Sequence, residues 1–314
     1  MNESQFELIE CPDRETWLKE RRKGIGASEA AAVLGASPWK TAIDLWAEKV
    51  GIAEQPEDES EWLKWGRRLE PVIRETYMEE TGRMVIRPGG EWTLVRSKKY
   101  PWMVTTLDGE IVPVDDKDGP GVFESKTAML FKKDEWADEP PLQYQIQNQH
   151  QLVVTGWLWG GDAVLLGGSR FLHQDFEVNQ DFQYLLIEKL EAFWSLVQSE
   201  TPPAIDGSDS AKELLRRLYP KQEPNKVIEL PLEAVDWHRD LVAVKEELKL
   251  LEGKASELKN QFAAVLKDAE IGVLPSGDSY TYKFVEKKAA KSVQVGDLIA
   301  AYRELRFKAK KERR

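Results

Sequence analysis

Between Met84 and Lys126 the chain leaves helical spacing for short apolar or alternating runs separated by Gly, Pro and Asp turns. This pattern predicts antiparallel strands. Helical spacing precedes it over Trp62–Thr81 and returns over Pro141–Thr155, and further strand-like runs follow at Ala163–Gly167 and His173–Val178. Because helices lie on both sides of the strands in the sequence, we predict an α/β (α+β) core in which helices flank a mixed central sheet.

Helices are also predicted before and after this core. Arg14–Val50 has helical character with breaks at Gly24–Gly26 and Gly35–Pro38. Ser28 is placed to cap the helix after the first break, because its hydroxyl can accept a hydrogen bond from a free backbone N–H. Phe182–Gln198 has the spacing of a further helix.

From Trp237 to Val265, apolar residues step by alternate fours and threes, which is an unbroken heptad stripe. The stripe predicts a long helix, at about 233–270, that packs on another helix inside the chain or in a neighbouring subunit. A hairpin strand at Ser279–Val285 and a final helix at Val293–Phe307 are predicted after it. This C-terminal region contains no catalytic constellation.

The formal net charge of −11 argues at first against a nucleic-acid partner, because phosphate contacts need Lys and Arg. The charge is uneven, however. Lys283–Arg314 contains eleven Lys and Arg against four Asp and Glu, so this tail is +7 and the remainder is −18. Such a tail is usually a solvated surface, and nucleic-acid contact is the minority interpretation.

Cysteine content and hydropathy exclude several classes of protein. The single cysteine, Cys11, cannot form an internal disulfide and cannot alone supply a zinc or iron–sulfur site. The longest apolar runs fall far short of the roughly 20 residues that a membrane helix needs. No secretory signal is visible at Met1–Gln5. We therefore expect a protein of a reducing compartment with no membrane partner.

The residues that best carry chemistry are Asp108, Glu124 and Lys126. Glu124 and Lys126 are two apart in a predicted strand, so their side chains project to the same face. Asp108 ends the preceding strand next to Gly109, so it can lie beside them across a hairpin. Carboxylates suit Mg²⁺, which prefers oxygen ligands, and the Ser125 carbonyl is a natural additional ligand. Taken alone, a Glu-x-Lys pair on a strand is more often a surface salt bridge.

Two helical motifs add to this cluster. Glu70 shares the inward helix face of Gly66 and Ile73, where a carboxylate is costly unless it is paired or bound to metal. Its alternative is a surface pair with a neighbouring arginine. Tyr144 and Gln147 are three apart and share one helix face, from which they can hydrogen-bond a phosphate or order a water. Glutamine-rich helix surfaces are common, so this motif is weak by itself.

A third motif, around Gly24 and Gly26, has the elements of an anion site. A glycine-containing loop, the Ser28 hydroxyl and a helix N-terminus supply donors, and Arg21 adds a guanidinium fork. The alternative is a tight turn at the glycines with Ser28 as a helix cap. Both interpretations stay open at this point.

Together these segments resemble the YqaJ-type viral recombinase family, which is related to bacteriophage lambda exonuclease. The resemblance runs over roughly Trp17 to Gly156. It rests on motifs in the family's order: Gly24–Gly35, Ser37–Thr41, Asp44–Trp46, Trp65–Pro71, Thr106–Glu110, Glu124–Thr127, Tyr144–Gln147 and Val154–Gly156. Leu107 stands where a Pro is frequent and Thr106 where the family has a phosphate-binding Ser, and neither change removes a ligand.

The resemblance implies a PD-(D/E)xK core, of the restriction-endonuclease type, and a 5′→3′ exonuclease that degrades linear double-stranded DNA and leaves 3′ overhangs. The implied cofactor is Mg²⁺, with Mn²⁺ as the alternative. The implied catalytic residues are Glu70, Asp108, Glu124, Lys126, Tyr144 and Gln147. The implied metal ligands are Asp108, Glu124, Ser125 through its carbonyl, and Glu70. The implied 5′-phosphate-binding residues are Arg21, Ser28 and Thr106.

The resemblance also implies a homo-oligomer, in the form of a ring of three subunits around the product strand. Such a ring passes its product to a single-strand annealing protein during phage-type homologous recombination. The expected location is the cytoplasm of a bacterial host, with a phage or prophage as the source. The chain then divides into a lambda-exonuclease-like domain over 1–205 and an extension over 206–314 with the heptad helix, hairpin and basic tail.

Other interpretations stay open. A restriction-type endonuclease of the same fold would cut closed circular DNA. A non-enzymatic DNA-end-binding or recombination accessory protein would need no metal. A scaffold built on the heptad helix leaves the strand motifs unexplained. A CRISPR-associated exonuclease of the same fold is disfavoured, because that group uses several cysteines for an iron–sulfur cluster.

Overall fold

The computed structural model describes residues 4–53, 60–115, 117, 119–219, 221, 226–285 and 302–308. The chain forms two compact units, Met1–Gln222 and Glu223–Arg314. The domain boundary that the sequence predicts after residue 205 stays a prediction. In the described ranges no helix is both long and apolar enough to span a membrane.

The first unit is built on two sheets. Its strands are β1 Phe6–Glu10, β2 Ile25–Gly26, β3 Val85–Ile86, β4 Thr93–Ser97, β5 Met103–Thr105, β6 Gly109–Ile111, β7 Gly121–Ala128, β8 Trp159–Leu166 and β9 Arg170–Glu177. One sheet has the order β1-β4-β5-β2, and the other has the order β3-β6-β7-β8-β9. In the second sheet β7 and β8 are parallel and the remaining neighbours are antiparallel. The predicted mixed α/β fold is thereby confirmed.

Helices pack around these sheets. They are α1 Arg14–Arg22, α2 Ala27–Val33, α3 Ala42–Lys49, α4 Glu61–Thr81, the short 3-10 helix η1 Leu130–Trp136, α5 Leu142–Thr155, α6 Gln180–Gln198 and α7 Asp209–Leu218. The predicted breaks at Gly24–Gly26 and Gly35–Pro38 do separate α1 from α2 and α2 from α3. The sequence reading did not include α7, whose Ala211 and Leu214 are buried in the core of this unit.

The central helix of the first unit is α5, which contacts both sheets as well as α2 and α6. Its apolar side chains Ile146, Leu152 and Val154 are buried in the main core. Its polar side chains between them are buried too, over Gln147–Gln151. Buried amides need hydrogen-bond partners, so α5 imposes a polar layer inside the fold, directly against β7.

Helix α4 covers the same sheet from another side. Its Ile73 and Tyr77 pack with Phe123 of β7 and Trp159 of β8 in a second apolar cluster. The ring of Tyr77 lies with its centroid 5.0 Å from that of Phe123. Gly82 ends the helix in the left-handed conformation, with φ of 70°, as a helix-terminating glycine commonly does. This packing fixes the inward face of α4 above the strand that carries Glu124.

The second unit contains α8 Glu233–Leu266 and a sheet of β10 Ile271–Val273, β11 Ser279–Val285 and β12 Tyr302–Lys308. The predicted long helix and hairpin strand are confirmed. The predicted final helix at Val293–Phe307 is wrong over 302–307, where β12 pairs antiparallel with β11, and its 293–301 part lies outside the described residues. Apolar and charged residues alternate there, as in Glu304-Leu305-Arg306-Phe307, and this period of two suits a strand.

Candidate active site

The hairpin of β6 and β7 brings the first two carboxylates together. Gly109 pairs with Phe123 across this hairpin, so Asp108 lies next to the strand segment of Glu124 and Ser125. The Asp108 carboxylate accepts hydrogen bonds from the Ser125 backbone N–H at 2.9 Å and from the Ser125 hydroxyl at 2.7 Å. The structure therefore places Asp108 beside Glu124 and Lys126, as the hairpin geometry predicts.

Glu124 is the most enclosed acid of this cluster, with 2% of its surface exposed. Gln147 and Gln151, one turn apart on α5, each donate a side-chain hydrogen bond of 2.6 Å to its carboxylate. The Lys126 ammonium forms an ion pair with the same carboxylate. Burial raises the pKa of Glu124 above its usual value, although Lys126 opposes the shift. The polar layer of α5 thus holds a single carboxylate by both oxygens.

Lys126 is anchored between Glu124 and an aromatic wall. Its Nζ atom lies 5.2 Å from the centroid of the Tyr144 ring, and that ring stacks on Trp136 with a centroid distance of 5.2 Å. Burial lowers the pKa of Lys126, but the Glu124 and Asp108 carboxylates raise it by more, so the amine is held in its charged form. A fixed cation at this point can stabilise negative charge on a phosphate or orient a water.

Glu70 approaches the cluster from α4. It is buried beside Ile73, and its carboxylate lies 3.5 Å from Arg74 and 3.6 Å from Arg87. Burial and the nearby Asp108 carboxylate raise the pKa of Glu70 to about 7. Glu70 therefore pairs with Arg74 inside the protein rather than on its surface, within electrostatic range of Asp108 and Glu124, and its role as a metal ligand stays a prediction.

One cavity of about 590 Å³ joins these side chains. Its lining includes the sequence-predicted residues Ser28, Glu70, Asp108, Glu124, Ser125, Lys126, Tyr144 and Gln147. No three Asp, Glu, His or Cys side chains converge into a ready metal site within the part of the chain that the structure describes, because Asp108 faces Ser125 and Glu124 is held by amides. Even so, the nearby Asp108 carboxylate raises the pKa of both Glu70 and Glu124, and a hard divalent cation would relieve that repulsion. The donor set fits such an ion.

A smaller recess of about 190 Å³ adjoins the cavity and shares Ser28 and Gln147 with it. Arg21 and Thr106, the other two residues predicted to bind the 5′ phosphate, also line this recess. The Arg21 guanidinium donates to the Ser28 hydroxyl at 2.8 Å. Trp17 donates from its indole N–H to the Thr106 hydroxyl at 3.2 Å. The three predicted residues therefore share one pocket.

Arg21 is held in place by the buried ion pair of Glu29 and Lys49. Glu29 bridges Arg21 at 3.3 Å and Lys49 at 2.7 Å, and the Lys49 side chain is only 1% exposed. Burial raises the pKa of Glu29, but the charges of Lys49 and Arg21 lower it by more, to about 2. A Cβ on Gly26 would lie 3.1 Å from the Arg21 Nε atom, so glycine there permits the guanidinium to approach.

The role predicted for Ser28 as a helix cap is wrong. Helix α2 begins at Ala27, so Gly26 is the cap position, and its N–H donates to the Glu29 carboxylate at 2.8 Å. Ser28 lies inside the first turn instead. Since the backbone is satisfied by Glu29, the Ser28 hydroxyl points to the recess and accepts from Arg21. This arrangement favours the anion-site interpretation of the motif.

Sequence reasoning missed Gln151 and Asp162. Gln151 lies four residues after Gln147, so helical spacing alone could have placed it on the same face. Asp162 is the one carboxylate inside the otherwise apolar strand β8, and it pairs in register with Glu124. It is 3% exposed, accepts a hydrogen bond of 2.6 Å from Asn148, and has its pKa raised by burial and by Glu124 to about 8.

Residues 16–157 match the profile of the YqaJ-like viral recombinase domain. The chain is also 33% identical over 265 residues to YqaJ of Bacillus subtilis (strain 168), a protein described as uncharacterized, and the match covers 83% of this chain and 81% of that one. The chain belongs to the YqaJ family. The cavity and recess residues named above from Trp17 to Gln151 fall inside the matched segment, whereas Asp162 lies just beyond it.

Several solved structures similar to this YqaJ family member are described as exonucleases. An alkaline exonuclease (LHK-Exo) from Laribacter hongkongensis, in complex with dAMP, has a TM-score of 0.48 and 18% identity, over 65% of this chain and 97% of that one. A phage-related exonuclease from Haemophilus somnus 129PT has a TM-score of 0.41 and 12% identity, over 62% and 96%. At these identities and scores the likeness assigns no activity to this chain.

Proposed function

We propose that this YqaJ family member is a metal-dependent exonuclease that degrades linear double-stranded DNA from the 5′ end. The observation that carries the proposal is the junction of two sites. A cavity with three carboxylates and a fixed lysine opens beside a recess with a guanidinium and two hydroxyls, and the two share Ser28 and Gln147. A hydrolytic centre next to a phosphate pocket suits an enzyme that acts at a strand terminus.

Glu70, Asp108 and Glu124, with the Ser125 carbonyl, would hold the metal, for which we propose Mg²⁺. When bound, such an ion supplies Lewis-acid stabilisation of the phosphate and a more acidic water. Lys126 lies beside the metal ligands as a fixed cation that orients the phosphate or the attacking water. Gln147 and Gln151 keep the Glu124 carboxylate in place, and Tyr144 limits the movement of Lys126.

The recess is proposed to bind the terminal 5′ phosphate. Arg21 offers a guanidinium fork, which suits phosphate oxygens, and the Ser28 and Thr106 hydroxyls add neutral donors. Glu29 and Lys49 hold the guanidinium in place without neutralising the pocket, since their own charges are paired in the core. A terminal phosphate bound here sets the distance from the strand end to the cleavage point.

We further propose that the product is a 3′ single-stranded overhang, that a single-strand annealing protein receives it, and that the nuclease works as a homo-oligomeric ring in the cytoplasm of a bacterial host. The basis for these proposals is the family to which the chain belongs, whose description is that of a viral recombinase. Recombination by annealing requires single strands, which a 5′→3′ exonuclease on duplex DNA produces.

The first experiment incubates the protein with linear duplex DNA labelled at the 5′ or the 3′ end, with Mg²⁺ or with chelator, beside a closed circle. We expect Mg²⁺-dependent loss of the 5′ label, a retained 3′ label in the early products, and an intact circle. Cleavage of the circle would instead indicate a restriction-type endonuclease. Binding without cleavage under Mg²⁺ or Mn²⁺ would indicate a DNA-end-binding accessory protein and overturn the proposal.

A further inference from the structure

The heptad stripe of α8 is an apolar surface that the described part of the second unit leaves exposed. Trp237, Leu241, Val244, Leu248, Leu251 and Leu258 are each about half exposed or more, up to 63% for Trp237. The stripe ends where Phe262 turns to its own sheet and stacks on Tyr280, with a centroid distance of 4.1 Å. We therefore define the uncovered stripe as the heptad positions from Leu241 to Leu258, with a leucine at each end.

We infer that α8 pairs with α8 of a second copy of this chain in an antiparallel, two-fold symmetric coiled coil centred between Lys249 and Leu250. In this register the core residues that face each other lie equally far on either side of that centre, so Leu241 packs against Leu258 of the second copy and Leu248 against Leu251. The uncovered stripe is symmetric about the same centre. Its two halves between Leu241 and Leu258 therefore cover each other, with Val244 opposite Ala255 of the second copy.

The charges beside the stripe select this register. In an antiparallel coiled coil the two flanking positions face their own kind across the seam. Lys245 then faces Glu252 of the second copy, and Glu247 faces Lys254 of the second copy. Symmetry doubles both pairs, which gives four attractive contacts in the central part of the seam. The outer pairs set His238 opposite Lys259 and Asp240 opposite Gln261, and they add no like-charge contact while His238 is neutral.

Two of these charged residues have no ion-pair partner within their own helix. Neither Lys245 nor Glu247 has an oppositely charged side chain three or four residues away on its own helix, which is where intrahelical ion pairs form. The described residues also show no ion pair for either. On an exposed helix, both charges can find a partner on a neighbouring antiparallel helix. In the register above, these partners are Glu252 and Lys254 of the second copy.

A parallel arrangement of two or three copies conflicts with the same charges. There, each flanking residue faces a residue five positions later on the next helix. Glu247 would face Glu252, and Lys254 would face Lys259. Only Asp240 and Lys245 would attract. The sequence of the flanks therefore opposes a parallel bundle and favours an antiparallel pair.

The charge argument gives a test with opposite outcomes for the two arrangements. In the antiparallel pair, E247K places lysine opposite Lys254 of the second copy, and K254E places glutamate opposite Glu247. Each single variant should weaken self-association of the full chain by about tenfold or more, because two attractions become two repulsions. The double variant E247K/K254E restores both attractions with an unchanged composition, so it should recover the wild-type association. A parallel arrangement would instead be strengthened by either single variant.

The oligomer mass separates this contact from any ring formed by the nuclease unit. The variant L248Q/L251Q keeps helix-forming residues but removes the central layer. Sedimentation velocity of the full chain should give the wild type a larger mass than this variant, which keeps only the assembly that the first unit forms, with helical circular dichroism unchanged. Equal masses would overturn the inference and indicate that the stripe is covered by the chain itself or by another protein.

Cross-linking then fixes the register. In a C11S background, a mixture of the single variants K245C and E252C should form a disulfide between copies, whereas K245C mixed with D240C should not. The reverse result would indicate parallel helices and overturn the proposal. Nuclease activity is not needed for any of these measurements, so their failure and the failure of the proposed function can be told apart.

Discussion

The two units depart from the usual distribution of side chains in opposite directions. Near the cavity of the first unit several polar side chains are buried: Glu124, Gln147, Asn148, Gln151 and Asp162. Along α8 of the second unit, the apolar residues from Trp237 to Leu258 are exposed. Either arrangement costs free energy in an isolated chain, through desolvation in the first case and hydration of apolar surface in the second.

The difference indicates what kind of partner each unit is suited to bind. A buried carboxylate held by two amides and a lysine is poorly suited to stabilising a fold, because its desolvation offsets most of the attraction. It suits a centre whose charge must be fixed before the substrate arrives. An exposed heptad stripe suits the opposite purpose, since its free energy is recovered only when another helix covers it. The two proposals above thus place chemistry and assembly in separate units.

The largest effect should come from E124Q. The amide keeps the size and some hydrogen bonds of Glu124 but removes the charge that a metal requires. We expect cleavage of linear duplex DNA to fall on the order of 10³-fold or more, equivalent to about 4 kcal/mol of barrier, with the fold retained by circular dichroism. E110Q is the matched control, since Glu110 is half-buried on β6 but does not line the cavity. Retained activity of pure E124Q would remove Glu124 from the centre.

A slightly smaller loss is expected for K126A. Turnover should fall by roughly 10²-fold or more, because a positioned cation is lost from the phosphate site. DNA binding should stay largely intact in gel-shift assays with Ca²⁺. The free energy of unfolding should also fall at neutral pH, since Glu124 is left buried without its ion-pair partner. An equal loss of binding and turnover would show that Lys126 is a DNA-binding residue instead.

The sequence predicts the local features of the candidate site better than the long-range ones. Strand periodicity and hairpin turns placed Asp108 beside Glu124, because Asp108 directly precedes β6 and Glu124 lies on β7, its hairpin partner. The helix face of Glu70 was readable in the same way. Asp162 was not found, because its proximity to Glu124 depends on the parallel pairing of β7 with β8 across the whole of α5.

Two local errors also have physical causes. Ser28 has the right identity for a cap, but α2 already begins at Ala27, before Ser28, and the Gly26 N–H at its start donates to the Glu29 carboxylate that Lys49 and Arg21 fix in place. The final helix predicted at Val293–Phe307 fails over 302–307, although the alternation of charged and apolar residues there suits a strand, and the ladder with β11 fixes that strand. The first error concerns where a helix begins, and the second concerns the wrong choice of period.

The next prediction concerns how the free energy of unfolding depends on pH through the buried Asp162. Asp162 has a pKa of about 8 in the fold and an ordinary value of 3.8 when unfolded, so the folded state retains a proton that the unfolded state releases. The free energy of unfolding should therefore fall as pH rises from about 4 to 8 and then level off. In chelator, D162N should remove part of this slope and stabilise the protein by roughly 2 kcal/mol at pH 8.5.

Urea denaturation at pH 5 and pH 8.5 measures the effect of D162N, and the exposed Asp134 on η1 gives the control D134N. The control should change neither value. If D162N destabilised the protein equally at both pH values, Asp162 would act through its hydrogen bond with Asn148 rather than through its charge. The contrast between the units would then rest on Glu124 and Glu70 alone.

A smaller effect is expected at the recess. R21A should bring the rates on 5′-phosphorylated and 5′-hydroxyl duplex ends close together, which corresponds to a loss of about tenfold in the preference, or about 1.4 kcal/mol. R22A is the control, because Arg22 follows on the same helix but lies outside the recess. An unchanged ratio in R21A would assign the terminal phosphate to another site.

The smallest effect is expected in α8, and it completes the contrast between the units. L152A in the core of the first unit should lower the free energy of unfolding by about 2 to 5 kcal/mol, because it opens a cavity around a side chain that is 1% exposed. L248A, at a side chain that is 52% exposed, should change it by only about 0.5 kcal/mol in dilute solution. Its cost should grow with protein concentration, because Leu248 is covered only when two copies meet. A large cost for L248A at every concentration, measured by urea denaturation, would mean that the chain itself covers the stripe, and the division between a chemical unit and an assembly unit would no longer hold.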